Sequence, residues 1–212
     1  MSAAELAIVH ADAHCVVVCK PSGLLAVPGR GEAGRDCLSE RVRSEHADAL
    51  IVHRLDMATS GLMLLARGAD AQRTLSIAFA RREVDKRYVA VVAGRLSTHE
   101  GEIDLPLSAD WPNRPRQQVD ALHGRPSLTR YRVLEFDDAH NTTRVELEPV
   151  TGRAHQLRVH LLALGHTILG DALYGSAEIQ AAAPRLLLHA ASLRFAHPAS
   201  GEPMSFDSPP PF

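Results

Sequence analysis

Short runs of β-branched and aliphatic residues recur along this chain, each bounded by polar or turn-forming residues. Such runs are typical of β-strands. The pattern predicts strands at Cys15–Cys19, Ala49–His53, Leu62–Ala66, Tyr88–Ala93, Thr129–Glu135 and Thr143–Glu148, and a late strand region made of Arg185–Leu188 and Ser192–Phe195.

Two segments instead place apolar residues at helical spacing, and they predict helices over Asp70–Arg82 and Ala154–Leu164. The apolar positions are Leu75, Ala78 and Phe79 in the first segment and Leu157, Leu161 and Leu164 in the second. In the second segment we expect Thr151 to cap the start and Gly165 to end the helix in a left-handed turn.

Several predicted strands follow one another with no helix between them, which argues against regular βαβ winding. We therefore expect an α+β fold with a mixed, largely antiparallel central sheet flanked by helices. No linker rich in Gly, Ser and Pro divides the chain, so residues 1–212 are expected to form a single domain.

The composition, 45% hydrophobic and 23% charged, is typical of a globular protein. No apolar run approaches the roughly 20 residues that span a bilayer. The N-terminal stretch MSAAELAIVHADAH lacks the basic start and apolar centre of a signal peptide. Three cysteines, an odd number, argue against a disulfide framework. We therefore expect a cytoplasmic protein that does not associate with membranes.

The formal net charge of −2 excludes a strongly basic, histone-like binder. Two segments are nevertheless locally basic: residues 65–95 hold seven Arg or Lys against three acidic residues, and residues 110–132 hold five Arg against two. Solvated surface and contact with a polyanion both explain these surpluses.

Three familiar site patterns are incomplete. Gly29–Gly34 matches a dinucleotide fingerprint by letters, but it does not directly follow its strand as phosphate binding requires. No CxxC or HExxH spacing accompanies the 12 histidines, so no metal site is expected, and Cys15 and Cys19 are interpreted as small buried hydrophobes. Ser60 lies outside a GxSxG elbow, which argues against a hydrolase nucleophile.

Two clusters carry unusual chemistry: HRLDMATSGL at 53–62 and GRAHQLRVH at 152–160. In the first, Asp56 lies at a junction of core and loop, where desolvation and a nearby cation can tune a carboxylate. In the second, Arg158 is flanked by core leucines and needs an anionic partner, for which Asp56 is the obvious candidate. The pattern alone fits a structural salt bridge as well as a catalytic pair.

These residues resemble the RluA-type pseudouridine synthases. HRLDMATSGL is similar to the family's signature around its catalytic aspartate, and the other family segments follow in order from about residue 10 to 206. They are DAHCVVVCKPSGLLAVPGR, DKRYVAVVAG, GRAHQLRVHLLALGHTILGDALYG and RLLLHAASLRFAHPASGEPMSF. Two positions depart from the family pattern, Ala154 where a hydroxyl residue is usual and Thr167 where many members have Pro.

The resemblance implies isomerisation of uridine to pseudouridine in structured RNA, without cofactor or metal. It implies the pseudouridine synthase fold with an active-site cleft across the sheet, in one catalytic domain with no N-terminal S4 domain. The segment DWPNRPRQ and the missing S4 domain resemble short members with dual specificity for 23S ribosomal RNA and the anticodon arm of transfer RNA. No obligate protein partner is expected, and the protein is expected to be a monomer.

Roles follow residue by residue from the same resemblance. The catalytic residues would be Asp56 as nucleophile or base, Tyr88 on the uracil and Arg158 as partner of Asp56. Arg54 would hold the RNA open, Leu157 would line the base pocket, and Lys20 would support the site or contact phosphate. Arg114 and Arg116, with Arg125, Arg130 and Arg132, are candidate contacts to the RNA backbone.

Two other functions stay open at this point. A non-catalytic RNA-binding or chaperone module on the same fold would use the arginine-rich segments and form no product. A glycosidase or nucleosidase would release free uracil, whereas isomerisation leaves the mass of the RNA unchanged.

Overall fold

The computed structural model describes residues 6–29 and 31–212. The first five residues of the N-terminal stretch and Arg30 in the Gly29–Gly34 segment lie outside this range. The strands are β1 (Ala7–Ala11), β2 (Cys15–Lys20), β3 (Ala49–Ile51), β4 (Ser60–Arg67), β5 (Asp85–Ala93), β6 (Glu100–Asp104), β7 (Leu107–Ala109), β8 (Gln117–Val119), β9 (Leu128–Asp137), β10 (Thr142–Pro149), β11 (Leu188–Ala196) and β12 (Pro203–Asp207). The helices are α1 (Leu38–Glu45), α2 (Ala69–Arg81), α3 (Gln156–Ala163) and α4 (Ala177–Ala181).

The described residues divide into two compact units, one formed by those up to Lys86 together with His189–Pro211 and the other by Arg87–Leu188 and Phe212. In the first unit the strand order is β1-β2-β4-β11-β12, and β3 also pairs with β4. All of these pairs are antiparallel except β4 with β11, which is parallel. In the second unit β5, β10, β9 and β6 pair in that order, all antiparallel, and β7 pairs with β8.

The prediction of an α+β fold with a mixed, largely antiparallel sheet is confirmed. The sheet of the first unit is mixed, because β4 and β11 are parallel while its other strand pairs are antiparallel. The prediction of one domain over residues 1–212 stays a prediction. Within the described residues, no helix is long and apolar enough to span a bilayer.

The core of the first unit lies between its sheet and α2. Both faces of β2 and β4 are buried, as their continuous apolar runs require. Leu75 of α2 is fully buried, and Ala78 and Phe79 pack partly against the same cluster, so the predicted apolar face of this helix is confirmed.

Helix α3 differs from its prediction at both ends. It begins at Gln156, because His155 has a left-handed backbone with φ of 53°. Thr151 does not cap it; its hydroxyl donates to the Gln156 side chain over 2.7 Å. Gly165 does have a positive φ of 82°, but Leu164 lies beyond the helix and is 40% exposed. The apolar stripe therefore ends at Leu161.

Candidate active site

Asp56 lies in the irregular segment that joins β3 to β4 in the first unit. The segment turns back on itself, because the Thr59 N–H donates to the Asp56 carbonyl oxygen over 3.2 Å. Leu55 is buried, Arg54 is exposed and Asp56 is half-buried. The carboxylate thus lies at a boundary between core and loop, as its sequence position predicts.

Lys20 supports this segment from the interior. Its side chain is fully buried, and its ammonium donates to the carbonyl oxygens of Pro21, Leu24 and Met57 over 2.9, 2.8 and 3.0 Å. Ser22 adds a hydroxyl that donates to the Ala58 carbonyl over 2.7 Å. The end of β2 therefore holds the two residues that follow Asp56. These contacts place Lys20 beneath the Asp56 segment, where a mainly structural role was expected, and both predicted roles, support of the site and contact with phosphate, stay predictions.

His53 anchors the other side of the segment. Its Nε2 accepts a hydrogen bond from the Leu64 N–H over 2.9 Å, and its ring stacks on Phe79 with centroids 4.5 Å apart. Since a backbone N–H only donates, Nε2 is unprotonated and the ring is neutral. Burial, helped by the charge of Lys86, lowers the pKa of His53 to about 3, which keeps it neutral at physiological pH.

Gly61 allows β11 to approach β4 closely. It has a φ of 110°, and a Cβ atom placed there would lie 2.3 Å from the Ala190 carbonyl oxygen. In the parallel pairing, Gly61 faces Ala190 and Ser60 faces His189. A side chain at position 61 would therefore separate the two strands directly after the Asp56 segment.

Arg158 lies on α3 in the second unit and is 3% exposed. Its Nε and Nη2 donate to the two carboxylate oxygens of Asp171 over 2.8 and 2.6 Å. Asp171 Oδ1 also accepts from the N–H groups of Leu173 and Tyr174 over 2.9 and 3.0 Å. Burial alone would raise the pKa of Asp171, but the hydrogen bonds and charge of Arg158, together with the backbone N–H groups of Leu173 and Tyr174, lower it below its ordinary value.

Asp171 is an anionic partner of Arg158 that sequence reasoning missed. It lies in the matched segment GDALYG, but no periodicity links it to α3. The expectation that a buried arginine has an anionic partner is confirmed. The pairing of Arg158 with Asp56, which belongs to the other unit, stays a prediction.

Tyr174 connects this ion pair to β8. The Arg158 and Arg116 guanidiniums lie 5.0 and 5.3 Å from the centre of its ring. Its hydroxyl accepts from the Gln117 N–H over 2.8 Å and lies 2.7 Å from His155 Nδ1. Tyr174 is 7% exposed, so the ring fixes both arginines from within the unit.

A buried hydrogen-bond network fixes α3 against β9. The Gln156 amide donates to Thr129 Oγ1 over 3.0 Å, and Thr129 lies 2.9 Å from His160 Nδ1. His160 Nε2 lies 3.0 Å from the Leu105 carbonyl, which only accepts, so Nε2 carries a proton and donates it to that oxygen. Burial lowers the pKa of His160, in agreement with a neutral ring. The backbone that carries Leu157 and Arg158 is therefore rigid.

Tyr88 and Leu157, the two predicted contacts to the uracil, are both at least half-buried in the second unit. Tyr88 is half-buried on β5, directly opposite Leu147 of β10, so both side chains lie on the same face of the sheet. Leu157 is 7% exposed on α3. Tyr88 is thus a strand tyrosine with part of its surface available, and Leu157 is largely buried.

Arg114 stacks on an exposed aromatic ring. Its guanidinium lies 3.4 Å from the centre of the Trp111 ring, and Trp111 is 67% exposed. Arg116, two residues further, is half-buried on Tyr174. This loop therefore presents a planar cation and a large flat ring on the surface.

The other arginines of residues 110–132 differ in their surroundings. Arg130 pairs with Glu102 over 2.8 Å and with Glu148 over 3.6 Å, and Arg132 pairs with Glu146 over 3.0 Å. Arg125 is exposed. The acidic partners make a phosphate contact less favourable for Arg130 and Arg132 than for Arg114.

The predicted site residues are divided between the two units. The first unit brings Lys20 to the segment of Arg54 and Asp56. The second unit brings Arg116 and Arg158 to one tyrosine ring. The second unit also contains Tyr88, Arg114 and Leu157. The joint site of Asp56, Tyr88 and Arg158 stays a prediction.

Comparison with known proteins shows which family the chain resembles over most of its length. The model of the RNA pseudouridylate synthase family matches residues 14–163. The dual-specificity RNA pseudouridine synthase RluA of Escherichia coli (strain K12) is 53% identical over 207 residues, covering 98% of this chain and 94% of that protein. The protein of the same name from Pasteurella multocida is 50% identical with the same coverage.

A solved structure agrees with the sequence comparisons. The human RNA pseudouridylate synthase domain containing 1 matches with a TM-score of 0.81 and 29% identity, covering 98% of this chain and 84% of that chain. The similarities confirm the predicted resemblance and favour an RNA-modifying isomerase over a non-catalytic RNA-binding module. This chain belongs to the RNA pseudouridylate synthase family.

Proposed function

We propose that this enzyme converts uridines of 23S ribosomal RNA and of a transfer RNA anticodon arm into pseudouridine, with Asp56 as the catalytic carboxylate. The observation that carries the substrate assignment is the 53% identity, over 98% of the chain, to a relative named a dual-specificity RNA pseudouridine synthase. In the reaction the N1–C1′ bond breaks, the base turns and C5 bonds to C1′. The C5 proton leaves and N1 gains a proton, so no redox partner is needed.

Asp56 is proposed to act on the nucleoside as nucleophile or base. Its half-buried position supports this role, because a carboxylate there can meet substrate while the segment that carries it is held by Lys20 and His53. Arg54, exposed two residues earlier, is proposed to fill the space of the extruded uridine.

The second unit is proposed to supply the uracil contacts and a cation. Tyr88 would stack on the base, which is worth about 1–3 kcal/mol for an aromatic contact. Leu157 would wall the pocket. Arg158 is proposed to stabilise the ionised form of Asp56. Its bidentate bond to Asp171 supports this, because it fixes the guanidinium and leaves little rotamer freedom to lose.

Arg114 and Arg116 are proposed to contact the RNA backbone. Arg114 is exposed on the Trp111 ring, and a large exposed aromatic beside a guanidinium is suited to both phosphate and base stacking. We extend the predicted set by including Trp111 among the RNA contacts. The enzyme is proposed to act in the cytoplasm as a monomer, and its mass in solution, measured by light scattering, tests the second point.

To test this function, the purified enzyme is incubated with transcripts of 23S ribosomal RNA and of transfer RNAs, and pseudouridine is then mapped in each RNA by chemical labelling. We expect labelled sites in both RNAs, no free uracil and no change in RNA mass. RNA binding without product would instead identify a non-catalytic module. Release of free uracil would identify a glycosidase. Product in only one RNA would contradict the dual specificity while leaving the isomerase intact.

A further inference from the structure

Asp12, at the turn of the β1–β2 hairpin, gathers several potential metal ligands. Its Oδ1 accepts from the N–H groups of His14 and Cys15 over 2.7 and 2.8 Å, which fixes the orientation of the carboxylate. Its Oδ2 lies 2.7 Å from His10 Nε2, 3.3 Å from His197 Nε2 and 3.6 Å from Cys15 Sγ. One oxygen is therefore surrounded by two imidazoles and a thiol.

The local backbone explains why His10 reaches this point. β1 and β2 change register between Ile8 and His10, where β1 contains a bulge. A bulge changes the direction of the side chains on its strand, and bulges are frequent next to active sites. The bulge therefore turns the His10 side chain toward Asp12 and Cys15, which follow it by two and five positions along the chain.

Three donor atoms are close enough to share one ion. His10 Nε2, Asp12 Oδ2 and Cys15 Sγ all lie within 4.8 Å of one another. Zinc binds imidazole nitrogen and carboxylate oxygen at about 2.0–2.2 Å and thiolate sulfur at about 2.3 Å, so neighbouring ligands of a tetrahedral ion lie roughly 3.3–3.7 Å apart. Asp12 Oδ2 and Cys15 Sγ already have this spacing at 3.6 Å, and His10 Nε2, at 2.7 Å from Oδ2, would have to move away by roughly 0.6 Å or more.

The charges of such a site balance. Cys15 is fully buried, and an ion that replaces the thiol proton would leave one thiolate and one carboxylate against two positive charges. The net charge is zero, which a partly buried position tolerates far better than an isolated ion. The mixture of nitrogen, oxygen and sulfur favours zinc or a similar transition metal over magnesium or calcium.

His197 takes a different part. The Ser200 N–H donates to His197 Nδ1 over 3.1 Å, so in the neutral ring the proton is on Nε2, which faces Asp12. Moving the His197 proton to Nδ1 would break this bond, so Nε2 stays protonated and orients the carboxylate instead of binding the ion, whereas His10 can bind once its Nε2 proton has left or moved to Nδ1. We therefore assign His197 as a positioning residue, which leaves the fourth coordination position open.

The open position has access to solvent through a pocket of about 590 Å³ lined by His10, Asp12, His197, Glu202, Met204 and Phe206. We propose that His10, Asp12 and Cys15 bind one zinc-class divalent ion, with the fourth position directed to this pocket. A structure with three protein ligands and one open position is typical of zinc sites that bind water or a small anion.

This site is separate from the isomerase residues. Cys15 and Lys20 are the first and last residues of β2, and five residues of strand span about 17 Å. Metal binding at the hairpin and pseudouridine formation can therefore be measured independently.

The test uses enzyme stripped with a chelator and then titrated with zinc against a chromophoric competitor, and separately with cobalt as a spectroscopic probe. We expect one equivalent of zinc with a dissociation constant below about 1 µM, and a rise in Tm because the ion binds the native state. Cobalt bound to the parent enzyme should show a thiolate charge-transfer band.

The variants separate the ligands. His10→Ala and Cys15→Ser should weaken zinc binding by more than about 100-fold, whereas His197→Gln should weaken it by about 10-fold. Cys15→Ser should also lose the charge-transfer band. His140→Ala is the matched control, because His140 lies 2.7 Å from Asp137 in an exposed pair; it should bind zinc as the parent does.

Three results would overturn the proposal: no zinc binding by the parent enzyme, equal affinity in the parent and Cys15→Ser, or a cobalt spectrum without the thiolate band. Cys15→Ala is a second variant in case Cys15→Ser does not fold. Pseudouridine formation by the stripped parent and by His10→Ala is expected to be unchanged, so failure of the metal proposal and failure of the proposed function give different results.

Discussion

Lys20 is a buried residue whose hydrogen bonds hold the segment that carries Asp56. Its ammonium carries a full charge in the interior, and three carbonyl oxygens compensate it. One of these carbonyls belongs to Met57, the residue after Asp56. The position of the carboxylate segment therefore depends on a residue 36 positions earlier in the chain.

Replacement of Lys20 by Met tests this dependence. The change leaves buried carbonyls without a donor, and each such group costs about 1–3 kcal/mol. Because a displacement of about 1 Å can cost a factor of about 100 in rate, we expect single-turnover pseudouridine formation to fall at least about 10-fold with unchanged RNA affinity. Arg73→Met, at an exposed arginine, is the control. Full activity in Lys20→Met would contradict the supporting role.

His53 makes stability depend on pH. Its pKa is lowered from 6.5 to about 3, so between these values the unfolded state binds more protons than the folded state. The contribution of His53 to the free energy of unfolding is therefore fully present above about pH 6.5 and is lost as the pH falls toward 3. The slope from this residue is at most about 1.4 kcal/mol per pH unit.

The measurement is urea unfolding from pH 7 to pH 4 for the parent and for His53→Gln, whose amide oxygen can still accept from Leu64. We expect the variant to lose less stability on acidification than the parent. His99→Gln, at an exposed histidine, is the control substitution. Equal slopes for the parent and His53→Gln would show that the ring is not held neutral.

At the scale of elements, the contact between β4 and β11 depends on Gly61. Ala at this position would have an unfavourable φ and would place its Cβ against the Ala190 backbone. Gly68 also has a positive φ, of 77°, but its Cβ position is open. Gly68→Ala therefore measures the backbone cost alone.

We expect Gly68→Ala to destabilise the protein by about 1 kcal/mol. Gly61→Ala should cost at least about 2 kcal/mol more, because its Cβ would push β11 away from β4 and disturb the packing of both strands. Denaturant midpoints with unchanged m-values measure both. If the two variants lost the same stability, the close approach at Gly61 would not be important.

The elements that sequence patterns predict best are those buried on a long continuous surface. β2, β4 and α2 carry uninterrupted or periodic apolar residues, and all three were predictable. β1 and β12 have no buried residue in the structure, and the short apolar run Ala7–Val9 of β1 is only exposed or half-buried. Helix α1 buries only two apolar side chains, Leu38 and Val42, which is too few to define a stripe.

The site shows the same limit. Asp56 was predictable because its neighbours form a contiguous motif, and the motif is local. The pair of Arg158 and Asp171 joins a helix to a loop that begins beyond it, and no spacing rule gives that contact. The cluster of His10, Asp12 and Cys15 was missed because a strand bulge, which the sequence does not announce, brings the residues together.

At the scale of the whole molecule, a near-neutral chain that acts on RNA must concentrate its positive surface. The structure separates arginines with acidic partners, such as Arg130 and Arg132, from Arg114 on its exposed ring. Contacts to phosphate release counterions and make affinity depend on salt. The salt dependence of RNA affinity should therefore come mainly from the part of residues 110–132 that contains Arg114.

RNA affinity measured across salt concentrations tests this division. The double variant Arg114→Gln with Arg116→Gln should reduce the slope of log K against log salt by about 1.4–1.8. Arg130→Gln with Arg132→Gln removes the same charge from ion-paired positions and should leave the slope nearly unchanged. The opposite ranking of the two variants would show that RNA contacts the strands and not the Trp111 loop.

We propose that the carboxylate of Asp56 performs the chemistry and does not merely shape the loop. The most direct measurement compares single-turnover pseudouridine formation and RNA affinity in Asp56→Asn, which keeps size and removes charge, with Asp70→Asn, at an exposed carboxylate, as control. We expect Asp56→Asn to bind RNA within about 2-fold of the parent but to form product at least about 1,000-fold more slowly, and we expect Asp70→Asn to match the parent. Product formation by Asp56→Asn at the parent rate would contradict the proposal.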